Sequence, residues 1–265
     1  MPRPEDFFDL TEFEHKGLFE GVELVWEVLR RIRPYLEDVI IPNVASLRKG
    51  DVLLPRTCVL FGGEVIYDGF EIIHGDATKG DLKVFMEGEE LKGASVLFAG
   101  AVFFGVNISI GAGSVVEPGA LIKGPVIIGG NTEVRQGAYI RGNCIVGDGC
   151  VVGHTTEIKN AVMLNNAKAG HFAYLGDSIL GNNVNLGAGT KLANLKIIDA
   201  EVELVIKGEL YKTGLRKFGA MLGDGVETGC NSVTSPGALL GKASIVYPNT
   251  NVRSGYYPEK SVIRN

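Results

Sequence analysis

Every sixth residue from position 98 to position 164 is apolar: Phe98, Phe104, Ile110, Val116, Ile122, Ile128, Val134, Ile140, Val146, Val152, Ile158 and Leu164. In a chain that is 45% apolar, twelve such residues at one phase have a chance of roughly one in ten thousand, and most are β-branched, which suits strands. A period of six excludes a helix of about 3.6 residues per turn and a meander whose turn signals come about every 8 to 12 residues. It fits a solenoid in which three hexads make a triangular coil of about 18 residues, each hexad giving a short strand paired in parallel with the strand one coil away. The ladder residue then points inward, where burying it contributes roughly 1.5 to 3 kcal/mol. Small residues at Gly105, Gly111, Gly129, Gly147 and Gly153 leave room for the chain to turn at the corners.

After Leu164 the phase slips by one residue before Leu175 and again before Leu180, then resumes through Leu186 and Leu192. Residues 197–215 break the code with two strand-like runs around Lys207-Gly208, which read as an excursion hairpin at about 195–216. Leu222, Thr228, Thr234, Leu240, Val246 and Val252 restore the spacing. Upstream, residues 53–93 are strand-like without the period and read as irregular first coils. Before them Leu18, Phe19, Val22, Val25, Trp26, Leu29, Ile32 and Leu36 recur at helical spacing, a helix expected to cover the open edge of the first coil or, alternatively, to dock a partner. The fold class is therefore mainly β, a hexapeptide-repeat parallel β-helix with an N-terminal capping helix: residues 1–45 form the helical cap and residues 46–265 the β-helix.

The balance of 26 basic against 31 acidic side chains, net charge −5, leaves no surplus to neutralise a phosphate backbone, so no nucleic-acid partner is expected. Neither a basic-then-apolar leader nor 18 consecutive apolar residues occurs, so no membrane span is expected and the chain reads as cytoplasmic. Cys58, Cys144, Cys150 and Cys230 lack C-x-x-C spacing and read as reduced thiols.

In such a coil, side chains 18 apart stack on one face. Arg141 and Lys159 are 18 apart, each one position after a ladder residue, at a corner that is costly for long cations unless an anion is held there; they read as a phosphate clamp or as two solvated charges. His154 and His171 are 17 apart, and the slip between them restores vertical register. Histidine is the natural general base near neutral pH. His15 and His74 read as structural. A zinc site on this scaffold needs three histidines, two of them close in sequence, and none follows another by five here, so no metal is expected. No G-x-S-x-G elbow or P-loop is present.

The stretches Gly153-His-Thr-Thr-Glu-Ile-Lys159, Lys168-Ala-Gly-His-Phe-Ala-Tyr-Leu-Gly-Asp177, Gly181-Asn-Asn-Val-Asn-Leu-Gly-Ala-Gly-Thr190 and Ala193-Asn194 closely resemble the acetyltransferase domain of the bifunctional N-acetylglucosamine-1-phosphate uridyltransferase / glucosamine-1-phosphate N-acetyltransferase family. The resemblance covers roughly residues 129–241. It implies a left-handed coil, a homotrimer with sites between subunits, and acetyl-CoA as co-substrate. It puts Arg141 and Lys159 on the sugar phosphate, His171 on the catalytic base, Glu157 on a carboxylate near that base, and Tyr174 and Asn185 on the amino sugar. Asn194 matches an active-site asparagine on the cofactor side, and Lys217 a lysine that reaches the site across the trimer. Cys230 stands near the acetyl-CoA thioester, where the family usually has serine, and Pro248 on the cofactor wall. Backbone N–H groups near Gly187 to Gly189 would face the oxyanion.

Four departures stand out. No nucleotidyltransferase domain or its glycine-rich loop is present, so uridyl transfer is not expected. Leu195 replaces a frequent tyrosine, and the hairpin lies beside the cofactor site; Arg264 matches only loosely a carboxyl-terminal arginine on the cofactor. The expected function is N-acetyl transfer from acetyl-CoA to an amino-sugar 1-phosphate. The alternatives are a non-catalytic sugar-nucleotide-binding or docking solenoid paired with a separate nucleotidyltransferase, and an acyltransferase acting on a nucleotide sugar.

Overall fold

The computed structural model describes residues 2–47 and 52–264. Three parallel sheets run side by side along a solenoid, so the fold class is the one the repeat implies. The first face carries nine parallel strands from Ser95–Leu97 to Val262–Ile263, giving about nine turns. The second runs from Val102–Phe104 to Asn251–Val252 and the third from Ile108–Ile110 to Gly255–Tyr257. From Ile110 to Ile158 each ladder residue lies in the buried interior column.

Both ends of the ladder need correction. Leu97 pairs with Val116 and Phe103 with Ile122, and these two, not Phe98 and Phe104, point inward. Phe103 and Ile110 are seven positions apart, so the phase of the ladder begins only at Ile110. Phe98 is half-buried against a separate cluster, and Phe104 is 55% exposed. At the other end Met163 pairs with Val146 and takes the interior place. The one-residue contraction therefore falls before Met163, one hexad earlier than the sequence suggests, and Leu164 is buried on the outside of the coil.

That outer burial belongs to a second core. Outward-facing Ile127, Ile145, Val162, Ile179, Met221 and Leu239 line the third face and are covered by Phe7, Phe13, Trp26, Leu29, Ile32 and Leu36. The expected single helix is a helix over Val28–Val39 preceded by 3₁₀ turns at Lys16–Phe19 and Val25–Glu27. It lies along the flank and not over the first coil edge, where it buries the outward aliphatic column of the third face. Side-chain amides tie the N-terminal segment down: from the coil, Asn182 Nδ2 donates to the Asp9 carbonyl (2.8 Å) and Asn165 Nδ2 to that of Glu12 (3.0 Å), and from the segment Asn43 Nδ2 donates to the Ile110 carbonyl (2.7 Å).

The first coil edge is closed by other means. Residues expected to form irregular coils instead make antiparallel pairs, Cys58–Phe61 with Glu64–Ile66 and with Ser95–Leu97. A separate antiparallel sheet comprises Phe70–Ile73, Lys83–Met86 and Glu89–Glu90. The excursion is a hairpin of Glu203–Ile206 and Glu209–Lys212 whose turn residues Lys207 and Gly208 have φ of 52° and 84°, the geometry a two-residue hairpin requires. Its Val202, Leu204 and Ile206 are buried in the flank core. None of the described helices is long and apolar enough to cross a membrane.

Candidate active site

On the second face Tyr139, Glu157 and Tyr174 are register partners in three successive coils. Alternation places Ile140 and Ile158 inside, so Arg141 and Lys159 stand outside, one step along. Arg141 Nη1 donates to Glu157 Oε1 at 2.7 Å, and this bond holds the guanidinium above its usual range. Lys159 Nζ donates to Asp177 Oδ2 at 3.0 Å. The buried Asp177 also accepts from Asn194 Nδ2 (2.5 Å) and, on Oδ1, from Asn160 Nδ2 (2.9 Å). Tyr174 OH donates to Asn194 Oδ1 at 3.3 Å. A Cβ at Gly176 would sit 2.6 Å from both Asn194 Nδ2 and the Tyr174 hydroxyl, so only glycine allows this knot to close.

Each cation keeps donors to spare, since Glu157 occupies one guanidinium nitrogen and Asp177 one ammonium direction. Two cations held in place by carboxylates, with N–H groups left over, can take an incoming oxyanion without being ordered at that moment. Glu157 thus sits with Arg141; among the described residues no hydrogen bond joins it to His171. Asn194, expected on the cofactor side, instead belongs to the Lys159–Asp177–Tyr174 knot.

His154 and His171 are direct register partners at the corner between the first and second faces. His154 is engaged: Nδ1 lies 2.9 Å from the Gln136 carbonyl, so it carries the proton, and Nε2 is 3.2 Å from Thr155 Oγ1. His171 is exposed and its ring meets Phe172 at 6.4 Å, with no hydrogen bond among the described residues. Its corner is nevertheless fixed, since Gly189 N donates to the His171 carbonyl (2.9 Å) and Lys191 Nζ to those of Phe172 (2.9 Å) and Gly189 (2.7 Å). An imidazole with both nitrogens open on a rigid corner can take a proton from an approaching group.

The same corner continues down the solenoid. Asn231 N donates to the Ala188 carbonyl and Asn249 N to that of Cys230, which puts Cys230 and Pro248 on the edge that His171 begins. Both are exposed. The N–H groups of Gly187 and Gly189 already donate to the carbonyls of Thr228 and His171, so the expected oxyanion role of these two is corrected: coil pairing consumes them.

Other expected residues lie apart. Asn185 is on the first face, paired with Lys168, in a groove of about 400 Å³ with Lys79 and Glu227; within one chain it does not meet Tyr174. Lys217 is exposed at the root of the hairpin, bridged to Leu195 and next to Phe218, whose N–H donates to the Asn194 carbonyl. Exposed Arg264 ends the last coil. Sequence reasoning missed Asp177 and Tyr139, and also Lys123, whose Nζ donates to the Tyr139 hydroxyl (2.9 Å). The signal was present: Asp177 lies 18 beyond Lys159, and Lys123 lies 18 before Arg141. Among the described residues no group of His, Cys, Asp and Glu can hold a metal ion.

Residues 122–213 match the model of the GMPPB C-terminal domain. A bifunctional sugar-1-phosphate nucleotidylyltransferase/acetyltransferase of Sulfurisphaera tokodaii is 39% identical over 100 residues, covering 38% of this chain and 25% of that protein. The bifunctional protein GlmU of Methanococcus vannielii is 40% identical over 112 residues, 42% of this chain and 27% of its own length. The chain resembles the acetyltransferase domain of this bifunctional family. It spans about a quarter of the length of these relatives. Arg141, Glu157, Lys159, His171, Tyr174, Asn185 and Asn194 all fall within the matched stretch, whereas Lys217, Cys230 and Pro248 lie beyond it. Among solved structures, a UDP-N-acetylglucosamine acyltransferase from Campylobacter jejuni aligns at 16% identity and a TM-score of 0.29, covering 63% of this chain and 69% of that one.

Proposed function

We propose that the protein transfers acetyl from acetyl-CoA to the amine of an amino-sugar 1-phosphate. The reading rests above all on one observation: a fixed cation pair, Arg141 and Lys159, shares a face with Tyr174, whose coil begins at the unpartnered imidazole of His171. The likeness to sugar-1-phosphate acetyltransferases supports it.

In this reading the sugar phosphate meets the spare donors of Arg141 and Lys159, and Tyr174 and Asn194 orient the ring. His171 accepts a proton from the amine as its nitrogen attacks the thioester carbonyl; the C–N bond forms, the C–S bond breaks, and the coenzyme leaves as a thiol. General-base assistance of this kind is worth about 10²- to 10⁴-fold. Acetyl-CoA lies along the edge of Cys230 and Pro248. Asn185 and Lys217, which point elsewhere within one chain, reach the site from neighbouring subunits of a homotrimer, and the enzyme works in the cytoplasm.

The test is free-thiol release from acetyl-CoA with glucosamine 1-phosphate, galactosamine 1-phosphate or a UDP-linked amino sugar as acceptor. Acceptor-dependent release is expected. No release with any of them would leave the other reading, a solenoid that binds sugar nucleotides or docks a separate nucleotidyltransferase, for which exposed Ile197 and Ile198 beside the hairpin offer a contact surface.

A further inference from the structure

The cation column does not stop at Arg141. Lys123 pairs in register with Phe104 and stands one coil before Arg141, so Lys123, Arg141 and Lys159 form a row of three at successive strands. With neighbouring strands about 4.8 Å apart, the row spans roughly 10 Å, more than one phosphate bridges. The three cations are not alike. Arg141 and Lys159 each have a carboxylate partner; among the described residues Lys123 has none. Its Nζ donates to the Tyr139 hydroxyl and lies 5.2 Å from that ring's centroid and 5.6 Å from the Phe104 ring. Phe104 is 55% exposed, although the position next to it carries the interior residue.

A cation held by π faces and a neutral hydroxyl keeps its full charge for an incoming anion. An exposed ring beside it offers a flat apolar surface on which a nucleobase can stack. We infer that Lys123 and Phe104 form a subsite for the second phosphate and the base of a nucleoside diphosphate, so that the site takes, besides the amino-sugar 1-phosphate, an amino sugar carried on a nucleoside diphosphate. This rests on the transfer reading above for its location, while the binding it predicts is measurable without turnover.

The experiment titrates uridine 5′-diphosphate by calorimetry into the wild-type protein and into Lys123→Gln and Phe104→Ala, and measures KM for glucosamine 1-phosphate and for the UDP-linked amino sugar in each. Wild-type protein is expected to bind the diphosphate. Each substitution is expected to weaken it about tenfold, the loss of one charge-assisted or stacking contact, and to raise the ratio of the two KM values, nucleotide-linked over sugar 1-phosphate, by a similar factor. Wild-type protein that ignores the diphosphate, or variants that match it in affinity, would overturn the subsite even if acetyl reaches the sugar 1-phosphate. Diphosphate binding that falls in both variants while no acceptor releases thiol would keep the subsite and remove the transfer reading instead.

Discussion

Lys159 and Asp177 are 18 residues apart in the chain, and Lys159 Nζ lies 3.0 Å from Asp177 Oδ2. Register pairs Lys159 with Gly176, so the carboxylate rises from the next position, at φ 47°, into a place where it also accepts from Asn160 and Asn194. The pair is only slightly exposed, so solvent screens it little and its loss is felt in the fold as well as at the site.

Asp177→Ala leaves the Lys159 ammonium and the Asn194 amide without their partner. Breaking a buried pair from one side costs about 3 to 5 kcal/mol, so the urea midpoint should fall clearly, whereas Asp177→Asn, which keeps the acceptor, should lose less. Equal stability of Asp177→Ala and wild type would contradict the geometry.

Ile140 and Phe104 occupy the same phase of the sequence repeat but not of the solenoid. Ile140→Ala empties a fully buried site and should cost about 2 to 5 kcal/mol. Phe104→Ala, on the outside of its corner, should change stability by less than about 0.5 kcal/mol. Chemical denaturation of both variants decides the register of the first coil.

Trp26 anchors the flank, packing against Tyr211 at 5.9 Å and Phe218 at 6.1 Å. Trp26→Ala should cost about 3 to 5 kcal/mol and expose the aliphatic third face, read as enhanced binding of an apolar dye. Stability loss without new dye binding would mean that the segment is not what covers this face.

Burial holds the His15 imidazole below its usual range, where it lies 3.2 Å from the Tyr35 hydroxyl. The folded flank thus binds a proton less readily than the unfolded chain, so stability present above the ordinary imidazole value of 6.5 is lost as pH falls below it. The urea midpoint should drop between pH 7 and pH 5, and by less in His15→Gln.

Burial likewise pushes the Cys144 and Cys150 thiols up to about 12 and the Cys58 thiol up to about 11. Cys230 is exposed. A thiol reagent at pH 8 should therefore label one cysteine per native chain, Cys230, and four after denaturation.

Much of the solenoid is legible because six-residue spacing admits few folds, and the rule that 18 residues make a coil also located Arg141 above Lys159 and His154 beside His171. Where reading failed, the cause is local. Phase alone could not tell Phe103 from Phe104, or Met163 from Leu164, since both members of each pair are apolar. The amphipathic stripe around Trp26 shows that a face is buried but not against what. A second apolar column one position before the ladder, at Ile127, Ile145, Val162, Ile179, Met221 and Leu239, carried that information. The knot at Asp177 stayed hidden because a lone carboxylate after a glycine reads as an ordinary corner until its coil neighbour is counted.

Steady-state kinetics of two variants test most directly the division of labour between Arg141 and His171. With acetyl-CoA and the accepted amino sugar, Arg141→Ala should raise the acceptor KM far more than it lowers kcat, and His171→Ala should lower kcat by about 10²- to 10⁴-fold with KM little changed. Mild, equal effects of the two substitutions on both parameters would contradict it.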